Sequence, residues 1–361
     1  MNLSELNKYM NTSIENIIAN IFKSTFKNPK ETIFITNVIK ANKKNALKRE
    51  AFEKKGQHIP VFLISSITNS CNLHCKGCYA RANQMCGDDN SKKMLTEAEW
   101  LHVFEQANEL GVSFILLAGG EPMLRKDVLY AAKNFKDIIF PVFTNGTLVN
   151  EDYLLFFDMY RNIIPVLSME GSNSQTDERR GDGTYDKLLH TMEGMKLHKL
   201  LFGVSVTVTT ENLAFVTSDD FLKSLFKSGC RLVFYIEYVP VEQNTKHLAL
   251  DEKDRIYLEN QLENLRENYH TMIFLSFPGD EKNMGGCLAA GRGFFHINPY
   301  GEAEACPFSP YSDINLKTST LLEAIKSPLF MSLQEKKLVG GEHKGGCALF
   351  ENESIVKECL K

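Results

Sequence analysis

The 361-residue chain has few of the features that mark secreted, membrane or nucleic-acid-binding proteins. It has no long apolar run. Stretches such as FILLAGG (114–120) fall well short of the roughly 18 residues a membrane span needs. The opening MNLSELNKYMNTS is polar where a signal peptide would be apolar, so a cytoplasmic, reducing setting is expected. There is no excess of positive charge either, the formal net charge being −4, and this argues against a nucleic-acid partner. Nine cysteines cannot all pair, and no internal repeat or low-complexity tract stands out. With 43% hydrophobic and 24% charged residues, the chain reads as an ordinary globular protein.

The chain divides into three parts. Residues 1–58 read as a helical extension, with Thr12 and Glu15 as a capping box and Ile14, Ile17, Ile18, Ile21 and Phe22 at helical spacing. Its basic stretch, residues 40–55, reads as a solvated helix face on a helix docked to the main domain, with membrane contact the lesser alternative. From residue 60, β-rich runs at 61–68, 113–119, 138–144, 162–169, 204–210 and 231–239 alternate with helical stretches. That pattern predicts a parallel α/β sheet over 59–270, either doubly wound or curled into a barrel. In the sixth run Leu232, Phe234, Ile236 and Tyr238 share one face, and Arg231, Val233, Tyr235 and Glu237 the other. The expectation is an apolar face against helices and a polar face lining a cavity, with Glu237 and Tyr235 as substrate contacts or an acid–base pair. Residues 271–361 are rich in Gly and Pro, hold four cysteines and suggest a small metal-stabilised domain.

Chemistry concentrates in SCNLHCKGCYA (70–80), which follows the first predicted strand. Cys71, Cys75 and Cys78 are soft ligands suited to an iron–sulfur cluster, or to zinc if His74 or Cys86 supplied a fourth donor. Four other features fall at the carboxyl ends of predicted strands, where α/β sheets bind ligands. AGGEP (118–122) offers close backbone approach at Gly119 and Gly120. Thr144, Asn145 and Gly146 close the third strand. Ser168 and Glu170 point to one side of the sheet, and beyond them Arg180 offers a fork for a carboxylate.

Together CNLHCKGCYA and AGGEP resemble the cluster and GGEP motifs of the radical S-adenosylmethionine (SAM) superfamily, over residues 60 to about 240. The resemblance implies a partial (β/α)6 TIM-like barrel whose [4Fe–4S] cluster is held by Cys71, Cys75 and Cys78, leaving one iron open to the methionine end of SAM. It further implies that Gly119, Gly120, Glu121 and Pro122 frame the amino group, that Ser168 and Arg180 hold the carboxylate with Thr144, Asn145 and Glu170 nearby, and that Tyr79 lies beside adenine. Many members carry an aromatic residue just before the third cysteine; here it is Gly77.

Cys287, Gly301 and Cys306 make a C-x13-G-x4-C pattern that resembles the start of a SPASM or twitch extension. This implies one auxiliary [4Fe–4S] cluster, with Cys347 and Cys359 completing its ligands, or His343, another residue or substrate in place of Cys359. The later cysteine run of a full SPASM domain is absent. Cys230 and His296 read as packed core residues, and Cys86 as a bystander. The function implied is reductive cleavage of SAM to a 5′-deoxyadenosyl radical that takes hydrogen from a peptide or protein, with a ferredoxin or flavodoxin as electron donor. A small metabolite or lipid substrate, and a non-catalytic electron-transfer role, are the alternatives.

Overall fold

A computed structural model describes residues 1–25, 29–87, 92–341 and 346–360. Six parallel strands form where the sequence places them: β1 Phe62–Ser66, β2 Phe114–Ala118, β3 Phe140–Thr144, β4 Ile163–Met169, β5 Gly203–Val208 and β6 Leu232–Glu237. Three more extend the sheet. β7, Ile273–Phe277, pairs in parallel with β6, while β8 (His296–Ile297) joins β1 and pairs antiparallel with β9 (Ala303–Glu304). The order β7-β6-β5-β4-β3-β2-β1-β8-β9 makes an open, partial α/β barrel that runs past residue 270. Two-residue strands are too short to show a period of two, so β8 and β9 left no trace in the pattern.

Helices connect successive strands. α1 (Leu3–Thr25) and α2 (Pro29–Glu53) precede the sheet, and α3 (Tyr79–Ala82) and α4 (Glu97–Leu110) follow β1. α5 (Lys126–Ala132) and α6 (Glu151–Met159) follow β2 and β3; α7 (Asn173–Arg180) and α8 (Thr184–Leu197) follow β4. α9 (Leu213–Val216), α10 (Asp219–Lys227) and α11 (Glu252–Asn268) complete the layer. Local chemistry sets the ends of α4. Thr96 and Glu99 form a capping box, and Gly111 stops the helix at φ 86°, a left-handed conformation only glycine adopts without cost.

The amino-terminal cap lies elsewhere than expected. α1 starts ten residues early, where Asn2 Oδ1 accepts from Glu5 N and Asn2 N donates to the Glu5 carboxylate, both at 2.9 Å. Thr12 sits inside the helix, its hydroxyl donating to Lys8 O at 3.1 Å. A T-x-x-E pattern within an amphipathic run cannot by itself tell a start from an interior.

The basic stretch of α2 is only half solvated. Its lysines at 40, 43 and 44 are exposed, but Asn42, Asn45 and Arg49 form a buried stripe one and two turns apart. Asn45 Nδ2 donates to Asp137 O at 2.8 Å, and Arg49 donates to Gly111 O, to Ser113 Oγ at 3.0 Å and to Asn11 Oδ1 at 2.5 Å. Burial lowers the Arg49 pKa to about 10. α2 is thus riveted to the loops at the amino ends of β2 and β3, away from the cavity. Apolar side chains from Leu6 to Val356 join one core. No helix of the described residues is long and apolar enough to cross a membrane.

Candidate active site

A cavity of about 300 Å³ opens at the carboxyl ends of the strands. The cysteine loop after β1 forms one wall. Cys71, Cys75 and Cys78 all line the cavity, Cys78 as the residue before α3. The loop is tied down on three sides. Gly120 N and Glu121 N donate to Thr68 O and Ser70 O at 2.9 and 2.8 Å, and Asn145 Nδ2 donates to Asn72 Oδ1 at 2.9 Å. On the third side Lys76 N donates to Arg179 O at 2.8 Å. Leu73 N points at Cys71 Sγ from 3.4 Å, a contact that favours a thiolate, while burial raises the pKa of the metal-free thiol to about 11.

The glycines of AGGEP serve chiefly the chain itself. A Cβ on Gly120 would lie 2.1 Å from Ser70 O, and one on Gly119 2.5 Å from Thr68 O. Only glycine lets this loop lie against the approach to Cys71. Glu121 is buried, its Oε1 accepting from Thr144 Oγ1 at 2.7 Å and Met123 N at 2.9 Å and its Oε2 from Asn145 N at 2.8 Å. It clamps β3 to the turn begun by Pro122, and burial holds its carboxyl above the usual range despite those donors. Gly119, Gly120, Glu121 and Asn145 line the cavity; Thr144 and Pro122 support from behind.

Ser168 lines the cavity, as do Arg179 and Arg180 from the end of α7. Both arginines converge on Glu170 Oε1, Arg179 Nη1 at 2.6 Å and Arg180 Nε and Nη2 at 2.8 and 2.5 Å. The fork edge expected to grip a ligand carboxylate is therefore taken by Glu170. The Nη1/Nη2 edge of Arg180 still has donors, since a guanidinium carries five. Burial draws the Arg180 pKa down, but Glu170 beside it more than offsets this, and the group stays charged.

On β6 the two faces are the reverse of the expectation. Phe234, Ile236 and Tyr238 line the cavity, with Phe234 packed edge-on to Phe143 at 5.2 Å. Tyr235 points outward into the core, fully buried, and its hydroxyl donates to Val216 O at 2.8 Å. A period of two says which residues share a face, not which face turns inward, and this barrel interior is apolar. Tyr235 is a packing residue. Glu237, at the strand end, reaches the cavity rim, where Arg255 Nε donates to it at 3.3 Å and the Gly346 backbone donates as well. It latches the loop that carries Cys347. His343 lies outside the described residues.

The carboxyl-terminal cysteines divide. Cys287, Cys306 and Cys347 line the same cavity as the first three. Cys306 hydrogen-bonds to Cys347, which with burial pushes the Cys306 thiol well up, and Cys287 is raised by burial beside Glu281. Glu281 was missed by sequence reasoning; it lines the cavity, and burial raises its pKa to about 8. Cys359 stands apart, at the end of the helix Glu353–Glu358 and against the core rather than on the cavity. Cys86 does line the cavity, and Cys230 is a buried core thiol. His296 is packed inside the sheet, Nε2 on Ser66 Oγ at 2.8 Å and Nδ1 on Glu304 at 2.7 Å. Tyr79 sits between the two cysteine sets, near Cys78 and Cys306, its ring 5.1 Å from that of Phe308.

Among the described residues, no three His, Cys, Asp or Glu side chains are gathered tightly enough for a single metal ion. Thiolates around one zinc each lie about 2.3 Å from it, whereas an iron–sulfur cube holds its ligands further apart. The donor set fits such a cluster: three thiols on one loop facing a cavity, with unclaimed arginine donors beside them.

The Radical SAM superfamily model matches residues 65–222. Over that span the chain is similar to the radical SAM superfamily. Among curated proteins the chain is similar to AdoMet-dependent heme synthase of Methanosarcina barkeri, 23% identical over 83% of this chain and 91% of that protein. It is also similar to mycofactocin maturase MftC of Mycolicibacterium smegmatis, 21% identical over 72% of this chain and 67% of that one. Among solved structures, Streptococcus suis SuiB bound to its precursor peptide SuiA aligns with a TM-score of 0.66 at 19% identity, over 89% of this chain and 77% of that one. That structural likeness shows the fold. The similarity implies an enzyme that uses SAM and a [4Fe–4S] cluster.

Proposed function

We propose that this enzyme modifies a peptide or protein, with a second [4Fe–4S] cluster taking part at the same cavity. One observation carries the reading. Cys287, Cys306 and Cys347, remote in sequence from Cys71, Cys75 and Cys78, open onto the same cavity. A substrate in the space between would meet both. Cys71, Cys75 and Cys78 would hold the first cluster, and Ser168 and Arg180 the SAM carboxylate. Carbonyls of Gly119 and Gly120 would take the SAM amino group. When bound, the reduced cluster and SAM supply a 5′-deoxyadenosyl radical able to abstract an unactivated hydrogen.

The protein's own part is enclosure and alignment. Phe143, Phe234, Ile236, Phe277 and Phe294 present an apolar wall that keeps water from a reactive radical. Glu237 and Arg255 hold the Cys347 loop against that wall. The second cysteine set, in a SPASM or twitch-like segment, would bind the auxiliary cluster with three thiolates. Its fourth position goes to a group other than Cys359. The peptide reading is supported by the maturase among the relatives and by the SuiB neighbour, solved with a precursor peptide. The heme synthase relative favours a second reading, a small metabolite. A ferredoxin or flavodoxin in a reducing cytoplasm would supply electrons.

The test is transfer of deuterium into 5′-deoxyadenosine from deuterated peptide and small-molecule fractions of a cell extract, offered separately to the iron-loaded enzyme. Label arriving from the peptide fraction supports the proposal. Label arriving only from the small-molecule fraction overturns it in favour of the metabolite reading.

A further inference from the structure

The turn Gly279–Met284, which follows β7, carries Glu281, a carboxylate 5% exposed on the wall of the cavity. The chain folds back on itself here. Gly286 N donates to Glu281 O at 3.0 Å and Leu288 N to Glu281 Oε1 at 3.3 Å, which brings the carboxylate onto Cys287, and the two side chains hydrogen-bond. Cys306 and Cys347 hydrogen-bond to each other, and Cys287 is near enough to both to feel their charge. Four donors thus meet the cavity as two touching pairs. Beside them the buried guanidinium of Arg292 donates to Gly286 O at 3.1 Å and to Cys287 O at 2.5 Å, setting a cation near both Glu281 and Cys287.

We propose that Glu281 is the fourth ligand of the second cysteine set, an oxygen donor that completes the site begun by Cys287, Cys306 and Cys347. The inference rests on the reading of that set as an auxiliary cluster site. A four-iron cube held by three thiolates has one iron without a protein donor. The group that meets it must be anionic, face the cavity and lie beside the thiols, and Glu281 does all three. The other candidates are placed elsewhere. Cys359 packs against the core, and Glu237 is engaged by Arg255 and the Gly346 backbone. A further buried anion is costly unless a cation accompanies it, and Arg292 is that cation. Because a carboxylate is a harder donor than a thiolate, the iron it holds is the corner that differs from the other three.

The test uses the full chain with Cys71→Ala, Cys75→Ala and Cys78→Ala, so that only the second site takes up iron. It is made with glutamate carrying a carbon-13 carboxyl label and reconstituted without oxygen. Electron–nuclear double resonance on the reduced cluster reads whether a glutamate carboxyl touches iron, with iron content and circular dichroism measured alongside. With Glu281 in place the chain should hold about four irons and show a carbon-13 coupling. Glu281→Cys should also hold about four, because a thiolate takes the same corner, but the coupling should vanish and the paramagnetic resonance spectrum should shift. Glu281→Gln keeps the shape of the turn without the charge. It should lose the coupling and release about one iron in four to a chelator.

Absence of a carbon-13 coupling in the iron-loaded chain that retains Glu281 would overturn the proposal. So would a Glu281→Cys variant that folds but takes up no iron, which would make Glu281 a prop for the turn. A folded triple variant that took up no iron even with Glu281 present would overturn the auxiliary-cluster reading itself, and the ligand with it.

Discussion

The guanidinium of Arg180 meets a single oxygen of Glu170 through two nitrogens, Nε at 2.8 Å and Nη2 at 2.5 Å, and Arg179 joins the same oxygen at 2.6 Å. Glu170 Oε2 is buried without a hydrogen-bond partner among the described residues. One carboxylate thus fixes two cations at the rim of the cavity, and the orientation of Arg180 toward a ligand depends on it. Arg180→Lys keeps the charge but cannot serve Glu170 and a second carboxylate together. SAM affinity should fall by about 1 to 3 kcal/mol, the range of a charge-assisted hydrogen bond. Calorimetry on the iron-loaded variant checks this; unchanged affinity would give the role to Arg179.

Glu170→Gln tests the same relationship from the other side. Two guanidiniums would be left beside a neutral amide, and removing one partner of a buried ion pair typically costs about 3 to 5 kcal/mol. Thermal unfolding should show a clear drop in midpoint. A stability equal to wild type would mean that the arginines turn outward and find solvent.

The sequence carried the framework of this site well and its internal wiring poorly. The six strands of the barrel were legible because each is a β-rich run bounded by turns, and the cysteine and GGEP motifs are local strings. What could not be read were long-range pairings. Glu121 appeared as a ligand-facing residue, yet its oxygens hold Thr144, Asn145 and Met123. Tyr235 on β6 and Tyr238 just after it fall on opposite faces, and no periodicity says which turns toward the cavity. The meeting of Cys287, Cys306 and Cys347 with the first three cysteines depends on β7, β8 and β9 closing onto β6 and β1. Two of those strands are too short to leave a pattern.

The amino-terminal hairpin should be integral to stability. Arg49→Ala would leave the buried Gly111 O without its side-chain donor, at about 1 to 3 kcal/mol, and would release Asn11, while Ser113 Oγ keeps its bond to Asn42. Urea unfolding should show a lowered midpoint with SAM affinity of the folded fraction unchanged, because these contacts lie at the opposite end of the strands. Reduced SAM affinity at full folding would contradict that separation.

A pH dependence follows from Glu31, buried at the start of α2 against Arg161. Burial, only partly offset by Arg161, raises its folded pKa above the unfolded value. A carboxyl raised in this way contributes stability that is complete below the unfolded pKa of about 4.3 and is lost as pH rises through the folded pKa. The stability of wild type relative to Glu31→Gln should therefore decline as pH rises above about 4.3. A difference that grows with pH above that value would show that Arg161 outweighs burial.

The two ends of the carboxyl-terminal cysteine set should behave differently. Cys359→Ala should retain full iron and sulfide, because that thiol packs against the core and away from the cavity. Cys347→Ala should lose iron. Loss of equal amounts from both variants would make Cys359 a ligand after all.

The sharing of one cavity by two cysteine sets is tested most directly in the Cys287→Ala, Cys306→Ala double variant. Reconstituted without oxygen, with folding checked by circular dichroism because metal loss can unfold a small segment, it should hold about four irons per chain where wild type holds about eight. With reductant it should still convert SAM to 5′-deoxyadenosine, since Cys71, Cys75 and Cys78 are untouched. A folded double variant that kept all its iron, or that lost SAM cleavage along with it, would contradict the account.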